Sequence, residues 1–202
     1  MLKRNSRFVD AAIVADHELY ENVNGFFKRI EVIRQVLDLD RFVAKFPALD
    51  TAKPLIVHSP SYRQIKGTEY VLNAIKILES EGHDFDFKLV ENIPNQDALK
   101  IYQEADIIVD QLRGGSHGIF AMEAMAMGKP VLCYIRDDLF SKYPPGLPLL
   151  STNPDNIYDN LKLLIENPEL RVELGKKGRE YVERVHDSKK IARQLIELYK
   201  SL

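Results

Sequence analysis

The most informative stretch of the sequence is a glycine-rich turn that leads into an apolar segment. Residues 114–118 read GGSHG, and Ile119 begins a run of small and apolar residues. Glycines let the backbone approach a ligand closely, and the unpaired N–H groups at the start of a helix attract an anion. An anion, most naturally a diphosphate, is therefore expected here. The alternative is that Gly114, Gly115 and Gly118 only form a tight turn between a strand and a helix.

A single carboxylate lies within the apolar segment after the turn. Glu123 is surrounded in sequence by Ala121, Met122, Ala124 and Met125. A carboxylate is costly to bury unless it accepts hydrogen bonds, and ribose hydroxyls are suitable donors. Glu123 therefore either faces a ligand of this kind or lies on the solvent side of its helix.

Two cations follow another apolar stretch. Residues 55–58 read LIVH, and Arg63 and Lys66 lie in the loop behind them. Lysine offers phosphate a point charge, and arginine offers it a fork of N–H donors. In a doubly wound sheet, ligands bind beyond the carboxyl ends of the strands, so this loop and residues 114–118 can converge on one crevice. The alternative is that both are ordinary loop cations.

The two loops can meet only if the fold brings them to the same edge of a sheet. The alternation of short apolar and longer amphipathic stretches indicates such a fold. The predicted strands are 55–57, 85–90, 106–109 and 131–135. The predicted helices are 67–82, 95–104 and 119–127, with three more after residue 150. We therefore predict an α/β fold with a doubly wound, mainly parallel Rossmann-like sheet and a helical C-terminus.

The helical C-terminus contains recognisable helix starts. Asn153 or Asp155 is expected to cap its first helix, Pro168 suits the first turn of the second, and the last begins near Asp187. The mixed charges of the last helix indicate either a solvated face or peripheral association with a membrane.

The first fifty residues are not expected to form a complete domain. Residues 8–15 are expected to form a strand and residues 17–22 a short helix, with an irregular connector over residues 30–46. One strand and one helix cannot enclose a core. We therefore expect residues 1–50 to be the end of an N-terminal domain plus an interdomain linker, ahead of a domain at 51–202. Apolar side chains in this part are expected to be incompletely covered: Phe26, Phe27, Ile30 and Phe42.

The composition argues against several classes of protein. The 202 residues contain 28 Lys and Arg against 30 Asp and Glu, so nothing in the net charge favours a nucleic-acid partner. There is no run of 18 apolar residues, and neither a signal peptide nor a membrane span is expected. The single cysteine cannot form an internal disulfide, and the histidines lack zinc-ligand spacing. A cytoplasmic location, in solution or at the inner face of the membrane, is expected.

Three motifs in order resemble a known family. KGTEYVLNAI, ADIIVD and GIFAMEAMAMGKPVL are similar to the C-terminal, nucleotide-sugar-binding domain of GT-B glycosyltransferases, most closely the family-4 group of retaining enzymes. The likeness covers about residues 50–202. It implies that a sugar passes from a nucleoside diphosphate sugar to a hydroxyl acceptor with retention, and that no metal or other cofactor is required. It also implies a partner: an N-terminal acceptor-binding domain, in the same protein or as a separate subunit.

The resemblance also assigns roles to residues. The lysine that matches Lys66 binds the donor diphosphate in that family, and the glutamate that matches Glu123 holds the ribose. Lys66 and Arg63 are the expected catalytic residues, because they would stabilise the departing diphosphate. His117 lies beside the expected site and either touches the donor or has no chemical role. The expected donor-binding residues are Ser61, Gly114, Gly115, Ser116, His117, Gly118, Ile119 and Glu123.

The sequence departs from the family pattern in four respects. The family has a glutamate on the donor sugar eight positions before Glu123, where Gly115 stands here. The family's loop arginine corresponds to Ser61, although Arg63 is close enough to substitute. The segment at 91–94, which usually helps hold the base, is short. The chain also cannot contain the acceptor-binding domain, so transfer by the isolated chain is not expected. A non-catalytic nucleotide-sugar-binding or regulatory module is thus the alternative function, and an epimerase acting on the nucleotide sugar is a second alternative.

Overall fold

The computed structural model describes residue 4 and residues 6–202. The chain begins with β1 (Ala12–Val14), α1 (His17–Val23) and β2 (Ile30–Val32), followed by a 3-10 turn at Leu39–Arg41. The next part contains β3 (Leu55–His58), α2 (Arg63–Lys66), α3 (Thr68–Ser80), β4 (Asp86–Leu89), α4 (Asn95–Glu104) and β5 (Ile107–Val109). The last part contains α5 (Ile119–Ala126), β6 (Val131–Cys133), α6 (Asp137–Phe140), β7 (Leu150–Ser151), α7 (Ile157–Glu166), α8 (Pro168–Val185) and α9 (Ser188–Lys200).

The main sheet has five parallel strands in the order β4, β3, β5, β6, β7. Ile56 in β3 lies opposite Phe87 on one side and Ile107 on the other. The chain therefore leaves β3 toward β4 and returns to the opposite side of β3 to form β5. This reversal leaves a crevice beyond the carboxyl ends of β3 and β5, which is where ligands bind in open sheets of this kind.

Helices cover both faces of this sheet. Val57 and Ile108 point into a core that includes α4, α5 and α8. Ile56 and Ile107 point into a second core, which α3 and α7 complete. Neighbouring strand residues therefore alternate between the two cores, as the pleat of a strand requires. The predicted doubly wound α/β fold with a helical C-terminus is confirmed.

Helix α3 illustrates how the sequence forms these elements. It buries Val71, Ile75 and Leu78 on one face, at the spacing of an amphipathic helix. Gly82 follows it in the left-handed region, with φ of 83°, where glycine is favoured and a helix commonly stops. Both features agree with the predicted helix over residues 67–82.

Some local predictions were wrong. Ile30–Val32, predicted as part of an irregular connector, is a strand that pairs in parallel with Ala12–Val14. Three residues are too few to show the periodicity of a strand in the sequence. Phe26 is exposed, and Phe27 and Ile30 are half-buried, as predicted. Phe42 is instead buried, because it belongs to the core beneath α5 and α8.

The expected cap of α7 was also wrong. Neither Asn153 nor Asp155 caps this helix, which begins after Asn156 without a side-chain cap. The Asn153 side chain instead accepts the N–H of Asp155 in a local turn at 2.8 Å, which competes with capping. Pro168 lies in the first turn of α8, and Asp187 caps α9, as predicted.

The connection from β2 to β3 is held through its backbone carbonyls by side chains of α8 and of the segment between α5 and β6. The Arg179 side chain donates to the carbonyl of Phe42 at 2.9 Å, and Arg171 donates to that of Thr51 at 3.1 Å. The Lys129 ammonium donates to the carbonyl of Lys45. Because these donors are charged and largely buried, their hydrogen bonds are among the stronger ones in a protein.

Helix α9 ends the chain with an amphipathic pattern. Ile191 and Leu198 are buried, whereas Ile196 and Tyr199 are exposed. Within residues 6–202, no helix combines the length and the hydropathy that a membrane crossing needs. Peripheral membrane association stays a prediction.

Candidate functional site

A pocket of about 300 Å³ lies beyond the carboxyl ends of β3, β4 and β5. Residues 59–61 and Lys66 form one wall, and residues 90–93 form another. Phe120 and Glu123 of α5 close a third side. The loop after β3 and helix α5 therefore converge on one crevice, whereas residues 114–118, which were expected to meet that loop, do not line it.

The inner wall of the pocket is aromatic. The rings of Tyr102 and Phe120 lie 4.8 Å apart, inclined at 55°. Ser59 Oγ donates to the carbonyl of Val90 at 3.0 Å, so Tyr102 donates its hydroxyl proton to Ser59 Oγ at 2.6 Å. This wall offers flat apolar surface to a planar ligand. These aromatic residues were not predicted as site residues; their only signal in the sequence was their place on helices that follow the carboxyl ends of strands.

Glu123 faces this pocket rather than bulk solvent. Its side chain is half-buried, and in the described part of the chain it has neither a hydrogen bond nor an ion pair. Burial raises the pKa of Glu123 above its usual value, and the charge of Arg41 offsets this only in part. A half-buried carboxylate without a donor is suited to accept hydrogen bonds from a ligand.

Lys66 reaches the pocket from the end of α2. Gly67 follows it with φ of 71°, and a Cβ at Gly67 would lie 2.9 Å from the Cβ of Leu112. The glycine therefore lets the chain turn from α2 into α3 against Leu112, in the segment that follows β5. The Lys66 ammonium forms an ion pair with the carboxylate of Asp110, which follows β5 and is fully buried. Asp110 was not singled out in the sequence, although it directly follows the predicted strand at 106–109 and ends the motif ADIIVD.

Arg63 is committed to other side chains at the edge of the site. Its guanidinium donates to both carboxylate oxygens of Glu91, at 2.9 and 2.6 Å, and to Glu69 at 3.4 Å. Hydrogen bonding to Glu91 raises the pKa of Arg63, and the same bonds lower the pKa of Glu91. Arg63 lines an adjoining space of about 510 Å³, which shares Ser61 with the first pocket.

The glycine-rich turn packs against its own surroundings before it enters α5. Gly115 has φ of 93°, and a Cβ there would lie 2.9 Å from Cδ of Arg136. Ser116 Oγ donates to Glu18 of α1 at 2.5 Å. Gly118 immediately precedes α5, and Ile119, its first residue, is exposed. None of the expected donor-binding residues Gly114, Gly115, Ser116, Gly118 and Ile119 lines the pocket. Gly118 and Ile119 instead lie at the start of the helix that carries Phe120 and Glu123 to it.

His117 points away from the pocket. Its ring is 4.9 Å from that of Tyr143 and 5.6 Å from that of His186, and both of its ring nitrogens are buried without a hydrogen-bond partner. Asp16 and Arg34 from the first part of the chain border the same small cavity, of about 10 Å³. Burial, with smaller effects of His186 and Arg34, lowers the pKa of His117 to about 3. This histidine is therefore neutral and lies between the first part of the chain and the rest.

Within residues 6–202, no three or more His, Cys, Asp or Glu side chains lie together in a group that could hold a metal ion. That the reaction requires no metal stays a prediction.

A family model described as glycosyl transferase-like matches residues 47–197. The chain belongs to this glycosyl transferase-like family. A curated relative is D-inositol 3-phosphate glycosyltransferase from Corynebacterium urealyticum, 29% identical over 112 residues. These residues are 54% of this chain and 26% of that protein, so the chain spans only a part of the relative.

Solved structures with the same fold are glycosyltransferases of the GT-B type. A glycosyltransferase from Rickettsia africae has a TM-score of 0.76 at 14% identity, over 99% of this chain and 66% of its own. Anabaena HepE in complex with UDP has a TM-score of 0.74 at 14% identity, over 100% and 66%. Sucrose-phosphate synthase from Thermosynechococcus elongatus has a TM-score of 0.71 at 21% identity, over 98% of this chain and 60% of its own. The GT-B resemblance is thereby confirmed, while the family-4 assignment stays a prediction.

Proposed function

We propose that this chain is the donor-binding part of a retaining glycosyltransferase, which transfers a sugar from a nucleoside diphosphate sugar to a hydroxyl acceptor. The observation that carries the proposal is one pocket with an unpaired carboxylate, Glu123, and an ammonium, Lys66, beside two aromatic rings. The structure of HepE with UDP-glucose supports a nucleotide sugar as ligand, since that protein shares the fold.

The residues of the pocket suggest how the donor is held. The rings of Tyr102 and Phe120 offer apolar contact to the base, and Glu123 accepts hydrogen bonds from the ribose hydroxyls. Lys66 and the first-turn N–H groups of α5 attract the diphosphate. Negative charge grows on the diphosphate as the glycosidic bond breaks, so these groups stabilise the transition state more than the ground state. Arg63 joins them only after it leaves Glu91.

Transfer also needs an acceptor site. We propose that residues 1–50 are the end of an N-terminal domain and the linker that follows it, and that residues 51–202 are the donor domain. The acceptor-binding domain would then belong to the same protein or to a separate subunit. The exposed Phe8 and Phe26 in the first part of the chain support such a partner surface.

One observation favours a second function, a non-catalytic nucleotide-sugar-binding module. The family glutamate that contacts the donor sugar is replaced by Gly115. Arg136 occupies the space beside this glycine, and φ of 93° disfavours any other residue there. The sugar contact is therefore absent or comes from another residue.

Calorimetric titration with UDP, GDP, ADP and their nucleosides tests donor binding. Glu123→Gln is expected to weaken nucleoside and nucleoside diphosphate alike by about 1.5–3 kcal/mol, the scale of hydrogen bonds to a charged group. Glu79→Gln, an exposed glutamate on α3, is the matched control and should change nothing. If no nucleotide binds the wild-type chain, the proposal is rejected.

Transfer is tested by adding a cognate N-terminal half, fused or separate, to the donor-binding chain. Transfer that appears only with this half supports the glycosyltransferase. Donor binding without transfer after complementation favours the regulatory module. Robust transfer by the 202-residue chain alone would contradict the need for a second domain.

A further inference from the structure

Asp110 is a buried carboxylate with few partners. Its Oδ1 contacts the ammonium of Lys66, and its Oδ2 lies 3.9 Å from the thiol of Cys133, which is a weak donor. Its backbone N–H donates to the carbonyl of Leu132 at 2.8 Å, so the sheet fixes its position between β5 and β6. The carboxylate therefore presents a rigid negative charge to Lys66.

The ion pair between Asp110 and Lys66 is not explained well by a contribution to stability. Removing two charges from water costs free energy that their attraction often fails to recover, and apolar side chains of similar size frequently serve as well. Lys66 is not fully enclosed, however: its side chain is 14% exposed and it lines the pocket. An ammonium has three N–H donors, and Asp110 occupies one of them. The other two remain for a ligand in the pocket.

We infer that Asp110 is a positioning residue, which holds the Lys66 ammonium at the pocket wall in the orientation that a donor diphosphate needs. The inference rests on the proposed function, because it requires that a diphosphate binds beside Lys66. A lysine side chain has four rotatable bonds, and fixing it before the ligand arrives removes an entropic cost from binding.

This inference predicts an effect opposite to that of simple electrostatics. Asp110 carries a negative charge close to the expected diphosphate. If it acted only as a charge, Asp110→Asn would tighten diphosphate binding. If it positions Lys66, the substitution releases the ammonium and weakens diphosphate binding, while the nucleoside is held as before by the aromatic wall and Glu123.

The experiment measures the ratio of diphosphate to nucleoside affinity, with whichever of UDP, GDP and ADP binds the wild type most tightly. Asp110→Asn is expected to lower this ratio by about 10-fold, which corresponds to the loss of roughly one charge-assisted hydrogen bond. In a Lys66→Gln background, the same change is expected to leave the ratio unaltered. Lys66→Gln keeps an amide donor for Asp110, so the buried carboxylate is not left unpaired.

Asp106→Asn is the matched control. This carboxylate lies at the opposite end of β5 and accepts the N–H of Leu55 at 2.9 Å, far from the carboxyl edge of the sheet. Its substitution should lower stability without changing the ratio. Retained nucleoside binding shows that each variant is folded. If Asp110→Asn does not fold, Asp110→Ser is measured in its place.

A ratio in Asp110→Asn equal to or above that of the wild type would overturn the inference and leave the proposed function standing. An equal loss in the Lys66→Gln background would also overturn it, because Asp110 would then act independently of Lys66. If no nucleoside diphosphate binds the wild type, both the proposed function and this inference are rejected.

Discussion

Arg63, at the edge of the site, already donates three of its five N–H groups to glutamates. It pairs with Glu91 in a two-bond contact and with Glu69 more distantly. Its guanidinium is half exposed, and ion pairs in such settings contribute little to stability. The pair is therefore easily exchanged for a phosphate, and Glu91 acts as a competitor for Arg63.

Glu91→Gln is expected to tighten the binding of a nucleoside diphosphate by up to about 5-fold, because exchange of an exposed ion pair involves no more than ~1 kcal/mol. Calorimetry of the two proteins measures this. Glu69→Gln is the comparator, since Glu69 does not line the pocket. The interpretation is wrong if the gain persists in an Arg63→Ala background.

The pKa of Glu123 gives the site a pH dependence. Burial raises this pKa, and ribose hydroxyls donate best to the ionised carboxylate. Ligand binding therefore strengthens as pH rises through the raised pKa and weakens below it, by at most about tenfold per pH unit. Titration of a nucleoside between pH 7 and pH 4 measures this dependence. Glu123→Gln should flatten it, and an unchanged profile in that variant would assign it to another group.

Helix α8 approaches the segment that follows α5 through a glycine. A Cβ on Gly175 of α8 would lie 2.2 Å from the carbonyl oxygen of Gly128, which is backbone and cannot give way. A Cβ on Gly178 would lie 3.2 Å from Cγ and 3.3 Å from Cβ of Met125, a tight contact that a side-chain shift of a few tenths of an ångström relieves. The first glycine therefore sets the distance between α8 and the chain that follows α5.

Gly175→Ala is expected to lower the free energy of unfolding by roughly 1–3 kcal/mol, the scale of overpacking in a core. This destabilisation runs against helix propensity, which on its own would make the alanine variant more stable by about 1 kcal/mol. Gly178→Ala should cost less, because Met125 can move. Urea denaturation of the three proteins compares them, and equal stability of wild type and Gly175→Ala would contradict this packing.

The limits of sequence reasoning also follow from element length and separation. Helix α3 shows a clear period, whereas α2 and α6 have four residues each and β7 has two, too few to show one. Lys66 and Glu123 were identified in the sequence, and the structure brings both to one pocket. Their surroundings were not predicted, because Asp110 is 44 residues from Lys66 and Glu91 is 28 from Arg63. Only the pairing of parallel strands makes them neighbours.

A buried polar cluster joins the first part of the chain to the rest. His117, His186 and Tyr143 meet Asp16 and Arg34 around one small cavity. Both ring nitrogens of His117 are buried without a hydrogen-bond partner, and burial is the main cause of its lowered pKa, so the folded protein holds this ring neutral. Its unfolded form, with a pKa near 6.5, binds a proton more readily than its folded form.

The contribution of His117 to stability is therefore complete above about pH 6.5 and is lost as pH falls toward 3. Between pH 6.5 and pH 5 the loss is roughly 1–2 kcal/mol, because it approaches 1.36 kcal/mol per pH unit only once most of the unfolded imidazole is protonated. His117→Phe keeps an aromatic ring there and should remove this part of the loss. His58 and His186, whose pKa values burial also lowers, leave a residual dependence of the same sign. Urea denaturation at both pH values measures the difference, and parallel curves for the two proteins would contradict it.

The way in which the connection to β3 is anchored has an evolutionary consequence. The anchors are hydrogen bonds to main-chain carbonyls, which every amino acid possesses. The donors are Arg171 to Thr51, Arg179 to Phe42 and Lys129 to Lys45. Most side chains along this stretch are thus replaceable during divergence without loss of the anchors. An insertion or deletion between two anchors would instead shift at least one carbonyl out of reach. We expect homologous proteins to vary here in sequence while keeping the number of residues constant.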